Sequence, residues 1–257
     1  MPEGDSVFQA ARRLDRALRG EEVVRFEVRV PGAATVDLRG ERVNEVAARG
    51  KHLLMRIGAH TLHSHLRMEG AWHVYAPDAP WRRPAFQARA IVGTAARTAA
   101  GFDLAMVEVV PTAEEERLVG HLGPDPLGTD WDAAEAARRL RIDLRPVHVA
   151  LLDQRNLAGL GNEYANELLF VRGVLPTTPA AGTDTAGLVE TAARMIRENR
   201  DRPVRTFTGD TRPGRTTWVH GRARRPCRRC GTPLREGSLG ADPARERNVF
   251  WCPSCQI

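Results

Sequence analysis

The stretch Asn156-Leu157-Ala158-Gly159-Leu160-Gly161-Asn162-Glu163-Tyr164-Ala165-Asn166-Glu167-Leu168-Leu169-Phe170 reads as a turn rich in glycine and asparagine that opens a helix. Backbone N–H groups at such a helix start can meet a phosphate. A dinucleotide-binding βαβ unit would need a strand before the turn and a third glycine at position 164. Here position 164 is Tyr164 and no strand pattern precedes the turn, which rules that unit out. Taken alone, the stretch is equally compatible with an ordinary helix start.

The surroundings place this turn in a helical region. Helical patterns run over roughly 132–141, 146–154, 162–171 and 184–199, separated by Gly, Pro, Asp and Thr clusters. Upstream the pattern differs. Residues 6–19 read as a helix, with Ser6 and Gln9 as a capping box and Val7, Ala11, Leu14 and Leu18 on one face. Short apolar and β-branched runs follow at 23–30, 51–57, 61–66, 71–75, 86–92 and 104–110, which predicts an antiparallel sandwich or barrel. Pro111 and the acidic run Glu114-Glu115-Glu116 mark the change of composition. The expected fold is therefore α+β and multi-domain. It comprises an N-terminal helix with an antiparallel β-sandwich over 1–115, a helical domain over 116–222, and a cysteine-bearing hairpin over 223–257.

All four cysteines fall in that last segment, as Cys227-x2-Cys230 and Cys252-x2-Cys255 with 21 residues between the pairs. Two short pairs this close supply four thiolates for one tetrahedral zinc, and four protein ligands leave no open position for catalysis. One structural Zn2+ is expected, shaping a hairpin whose Arg235, Arg245 and Arg247 face phosphate. Two disulfides would instead require an oxidising compartment. No apolar run reaches a membrane-spanning length, and Glu3 and Asp5 stand where a signal peptide needs positive charge, so a cytoplasmic protein with no membrane partner is expected.

The net charge of +6 is unevenly placed: residues 190–257 hold 15 arginines against 7 acids, whereas residues 1–189 hold 23 bases against 25 acids. Such a basic end suits a polyanion, nucleic acid being the commonest in the cytosol. Among 38 basic residues only Lys51 is a lysine. Pro2, once Met1 is removed, offers a second amine. An α-amino group has a pKa near ~8 against ~10.4 for lysine, so near neutral pH it is nucleophilic far more often. His63 and His65 alternate on a strand without a third ligand of suitable spacing and read as structural.

Five motifs occur in order along the chain: Pro2-Glu3-Gly4, Arg49-Gly50-Lys51-His52-Leu53, Ser64-His65-Leu66, Gly159-Leu160-Gly161-Asn162 and the cysteine quartet. In these the whole chain resembles the formamidopyrimidine-DNA glycosylase and endonuclease VIII family. The resemblance implies that the middle region is a helix-two-turn-helix DNA-binding element and the C-terminal segment a zinc finger. It implies that Pro2 attacks the sugar C1′ of a damaged nucleotide, that Glu3 is the proton donor, and that Lys51 pairs with phosphate beside the lesion. Asn162 and Gly161 of the turn, and Arg247, match the family's other phosphate contacts. It further implies damaged DNA as partner, a monomer, no small-molecule cofactor and association with the nucleoid.

Excision requires the damaged nucleotide to leave the stack, so a side chain must fill the gap. Arg67-Met68-Glu69 stands where family members carry such a wedge, with Met68 as the apolar candidate. The Arg-Arg-Phe-Gly wedge of the oxidised-purine enzymes is replaced by Ala99-Ala100-Gly101-Phe102-Asp103, and Thr208 to Trp218 is short for their lesion-covering loop. Both departures favour the endonuclease VIII side and oxidised pyrimidines, although Ser6 stands where that side has a second glutamate. The competing functions are a purine-specific glycosylase and a non-catalytic, zinc-containing sensor that binds damaged DNA without cutting it.

Overall fold

The computed structural model describes residues 2–257, apart from the Arg245 side chain. Met1, whose removal the proline chemistry needs, and the Arg245 guanidinium lie outside the described residues. The chain forms two units, one up to His121 and the other from Leu122 to Ile257.

In the first unit, helix α1 (Gly4–Leu18) buries Val7, Ala10, Ala11, Leu14 and Leu18, the one-face spacing expected of it. It starts two residues earlier than the Ser6–Gln9 box predicts. Glu3 is the N-cap residue at φ −126°, and Ser6 already lies in the first turn, its N–H donating to Asp5 Oδ1 at 2.7 Å. Gly20, at φ +82°, provides the left-handed step that turns the chain out of the helix.

Two four-stranded antiparallel sheets follow. The first contains β1 (Arg25–Val28), β6 (Ala88–Gly93), β7 (Thr98–Phe102) and β5 (Ala71–Tyr75), in that spatial order. The second contains β2 (Val43–Arg49), β3 (His52–Ile57), β4 (His60–His65) and β8 (Met106–Pro111). Phe26, Val28, Trp72, Val92 and Ala99 of one sheet share a core with Val46, Leu53, Met55 and Leu62 of the other and with the buried face of α1. This is the expected sandwich, with Trp72 Nε1 donating across it to Ser64 Oγ at 3.1 Å. Strands β2 and β7 were not anticipated. Both are alanine-rich, and β7 is buried along its whole length, where small residues are needed: a Cβ at Gly101 would meet Leu104 Cδ1 at 2.5 Å. Beyond this first sheet a smaller cluster joins Tyr75, Ile91, Ala100 and Phe102 to the loop residue Trp81.

A short helix, α2 (Glu116–Val119), closes the first unit. The second unit is helical through α3 (Ala133–Arg141), α4 (Val147–Leu152), α5 (Asn162–Arg172) and α6 (Thr185–Asn199), close to the stretches read from the sequence. Asp132 and Asp184 cap α3 and α6, accepting from the N–H groups of Glu135 and Gly187. Leu140, Leu151, Leu160, Tyr164, Leu168, Leu188 and Ile196 form the core between them. Helix α5 ends at Gly173, φ +71°, with Val174 N–H returned to the Leu169 carbonyl. The C-terminal hairpin pairs β9 (Arg235–Leu239) with β10 (Arg247–Trp251), and packs Leu234, Phe250, Cys227 and Cys252 against Phe170 of α5. Among the described residues no helix is long and apolar enough to cross a membrane.

Candidate functional site

The expected functional residues divide between the two units. In the first, Pro2 is half-buried and directly precedes α1, while Glu3 has no exposed surface although it is a carboxylate. A carboxylate at a helix N-terminus lies where the helix dipole favours its negative charge. Lys51 sits at the tip of the β2–β3 hairpin, between the paired residues Arg49 and His52. The tip is made by Gly50 at φ +57°, a backbone value that L side chains rarely adopt.

Behind Lys51 lies a group of imidazoles. His52 Nδ1 is 2.8 Å from His63 Nε2, and His63 Nδ1 faces Glu108 Oε1 at 3.5 Å, with the ring centroids of His65 and His121 at 5.3 and 6.2 Å from that of His52. Burial pushes the His52 imidazole down to about 3 and that of His65 down to about 4, with Lys51 adding to both. They are therefore neutral near pH 7. Among the described residues, no three of these side chains are grouped as a metal site.

Met68 is 62% exposed in the turn between β4 and β5. The turn is held from within: Arg67, at φ +49°, donates its N–H to His65 Nδ1 at 3.0 Å, and Gly70 N–H returns to the Leu66 carbonyl at 2.9 Å. Phe102 is buried, its ring edge-on to Trp81 and His73. It belongs to the core of the sheet and is not presented as a wedge.

In the second unit, α4, the glycine turn and α5 form a helix–turn–helix with no strand before the turn. Gly159 takes φ +89°, and Gln154 braces the turn, accepting from Gly159 N–H at 3.0 Å and donating to the Leu160 carbonyl at 2.8 Å. Asn162 is only 8% exposed. Its Oδ1 is 3.0 Å from His148 Nε2, and its Nδ2 donates to the Asn248 carbonyl at 2.9 Å. One turn on, Asn166 Nδ2 donates to the Asn162 carbonyl at 2.8 Å and Asn166 Oδ1 accepts from Phe250 N–H at 2.6 Å. The structure thus brings Asn162 to the residue after Arg247, which is exposed at the start of β10. Sequence reasoning missed His148, Gln154 and Asn166; two asparagines one turn apart on α5 were the available signal.

Glu167, fully buried on the same helix, accepts from the N–H groups of Trp218, Val219 and His220 at 2.7, 2.9 and 2.8 Å. Burial pushes its carboxyl up to about 7 against the opposing pull of those donors. The preceding loop is short and tied to itself, with Thr208 Oγ1 donating to the Arg215 carbonyl at 2.6 Å and Phe207 N–H donating to Thr216.

The four cysteines converge, all their Sγ atoms lying within 4.8 Å of one another. Cys230 and Cys252 are 3.5 Å apart and Cys227 and Cys255 4.0 Å. Sulfurs about 2.3 Å from one tetrahedral ion would be separated by about 3.8 Å, so the quartet can hold a single metal ion.

Residues 1–124 match the formamidopyrimidine-DNA glycosylase N-terminal domain and residues 122–199 the formamidopyrimidine-DNA glycosylase H2TH domain. A probable endonuclease 8 2 of Streptomyces coelicolor is 53% identical over 262 residues, covering 100% of this chain and 94% of the relative. The DNA-(apurinic or apyrimidinic site) lyase Nei2 of Mycolicibacterium smegmatis is 49% identical, covering 100% and 99%. A Lactococcus lactis Fpg solved in complex with abasic-site DNA superposes with a TM-score of 0.79 at 24% identity, over 99% of each chain, and so shares the fold. With two domains matched in order and full-length identity to endonuclease 8 proteins, the chain belongs to the formamidopyrimidine-DNA glycosylase and endonuclease VIII family, on its endonuclease VIII side.

Proposed function

We propose that this chain is a bifunctional DNA glycosylase and abasic-site lyase of base excision repair, with damaged DNA as its partner. The observation that carries the reading is Pro2 set directly before a fully buried Glu3 at the start of α1, in a chain 53% identical over its full length to a probable endonuclease 8 2. The secondary amine of Pro2 attacks C1′ of the nucleotide and the base leaves with its bonding electron pair, taking a proton. Glu3 supplies a proton at the sugar ring oxygen as the ring opens to the iminium. The cationic iminium then draws electrons as a proton leaves C2′ and the 3′ phosphate is eliminated; water finally releases Pro2.

Lys51 is assigned to a phosphate beside the lesion as a compact positive charge. Gly161, Asn162 and Arg247 take further backbone phosphates. Because the Asn162 side chain is engaged with His148 and Asn248, its part is to fix the turn so that the N–H groups at the start of α5 face outward. Met68, with Arg67 beside it, fills the gap left by the everted nucleotide. Oxidised pyrimidines are the proposed substrates; the burial of Phe102, which leaves no purine-type wedge there, supports that choice. The metal at Cys227, Cys230, Cys252 and Cys255 is proposed to be one structural Zn2+, for which four thiolates are the apt donor set. Residues 1–115 would carry catalysis, with 116–222 and 223–257 binding DNA, in a cytoplasmic, nucleoid-associated monomer.

Borohydride reduction with an oligonucleotide containing one abasic site should trap a covalent complex, and peptide mapping should put the sugar on Pro2. An adduct on Lys51, or none from protein lacking Met1, overturns the assignment. Glu3→Gln should slow release of an oxidised pyrimidine by roughly 10²- to 10⁴-fold, the usual weight of a positioned acid.

A further inference from the structure

We propose that Arg83 is a positioning residue that holds the Met68 turn ready for insertion into DNA. The inference rests on the reading of Met68 as the gap-filling side chain. Arg83 Nη1 donates both to the Glu69 carbonyl at 3.0 Å and to Asp103 Oδ2 at 2.9 Å. One guanidinium therefore joins the residue after Met68 to the turn that follows β7. The turn is entered by Asp103, at φ +49°, which serves here as an anchor.

The segment bearing Arg83 is itself fixed to the sheet. Trp81 lies edge-on to the buried Phe102 at 5.5 Å, Arg82 N–H donates to Tyr75 Oη at 3.3 Å, and Arg29 Nη1 donates to the Ala85 carbonyl at 2.9 Å. Asp103 N–H is bound to the Gln87 carbonyl at 2.9 Å, so the anchor and the far end of the segment are also joined. Arg83 is half-buried between exposed neighbours, Arg82 and Pro84. A mere surface arginine would need only the Asp103 contact; the bond to the Glu69 carbonyl reaches the wedge.

Together with the Arg67–His65 and Gly70–Leu66 bonds, this fastens a three-residue exposed turn at both ends and leaves Met68 projecting from it. A Cβ at Gly70 would meet the Leu66 carbonyl oxygen at 2.4 Å, so this closure depends on glycine. A flexible Met68 would have to be ordered at the moment of insertion, and rigidity supplied in advance removes that cost. Arg83 thus acts through Met68, and its contribution should vanish when Met68 is absent.

The test is a double-mutant cycle in the full-length protein, read by single-turnover borohydride trapping on a duplex with one abasic site. Arg83→Ala should slow trapping roughly tenfold when Met68 is present, as expected for loss of charged hydrogen bonds, and less than about twofold in a Met68→Ala background. Asp103→Asn, which removes the anchoring charge at a position where asparagine tolerates left-handed φ, should show the same dependence on Met68 with a smaller factor. A second readout uses 2-aminopurine opposite a tetrahydrofuran abasic analogue. Its fluorescence should rise on binding wild type, as the opposite base is unstacked, and rise less with Arg83→Ala at saturation. Equal slowing in both Met68 backgrounds, no slowing in either variant, or an unchanged fluorescence rise overturns the proposal. Failure of the Pro2 reading would appear separately, as wild-type protein that traps no sugar.

Discussion

His148 has no exposed surface, yet its side chain fixes the amide of Asn162. Because Asn162 Oδ1 is an acceptor, His148 Nε2 must carry the proton of the neutral ring, and its Nδ1 has no hydrogen-bond partner. Burial holds the imidazole down to about 4, partly offset by the Asn162 contact. The unfolded chain takes up that proton near ~6.5, whereas the folded chain resists until near 4. Stability should thus be intact above pH 6.5 and fall as pH drops towards 4, this one group costing about 2 kcal/mol at pH 5. His148→Gln should reduce the difference in unfolding free energy between pH 7.5 and pH 5 by that amount; an unchanged difference in denaturant titrations would refute the assignment. The cysteine quartet was legible in the sequence because its chemistry is carried by residue type and spacing, whereas the roles proposed for Pro2, Glu3 and Lys51 come with the family resemblance. His148, Gln154, Asn166 and Arg83 work through contacts that only the folded chain creates, such as the 84 residues spanned between Asn166 and Phe250.

Helix α5 joins the glycine turn to the C-terminal hairpin. Asn162 and Asn166 hold β10 from one side, while Glu167 gathers three consecutive backbone N–H groups of residues 218–220. A carboxylate offers enough lone pairs for all three donors. Glu167→Gln would turn an amide N–H2 towards at least one of them, so it should destabilise the second unit by about 1–3 kcal/mol, seen as a lower denaturant midpoint. The four main helices here were readable because their apolar spacing and caps agree, as Asp132 and Asp184 illustrate. Strands β2 and β7 were not. Their alanines carry little β-propensity, and their pairing is dictated by neighbours across the sheet and by the space that Trp72 takes beside Gly101.

At the scale of the molecule, the +6 charge is concentrated towards the C-terminus, where the arginines of the hairpin segment stand mostly exposed. DNA affinity should therefore fall steeply with salt, and Arg247→Ala should weaken binding whatever the sequence, reducing the slope of log K against log salt by about 1. An unaltered slope would remove Arg247 from the phosphate contacts. The order of an antiparallel sandwich, a helical region and a cysteine hairpin was legible along the chain, whereas the strand order within each sheet was not, because antiparallel partners such as β4 and β8 lie far apart in sequence. The hairpin tip at Gly50-Lys51 has one more effect, which follows from its bearing the single lysine. A lysine-specific protease has one peptide bond to attack, Lys51–His52, and a cut there would leave two pieces still zipped together by the ladder between β2 and β3. Digestion with and without bound oligonucleotide would thus footprint the tip by a single nick, with no engineered cleavage site.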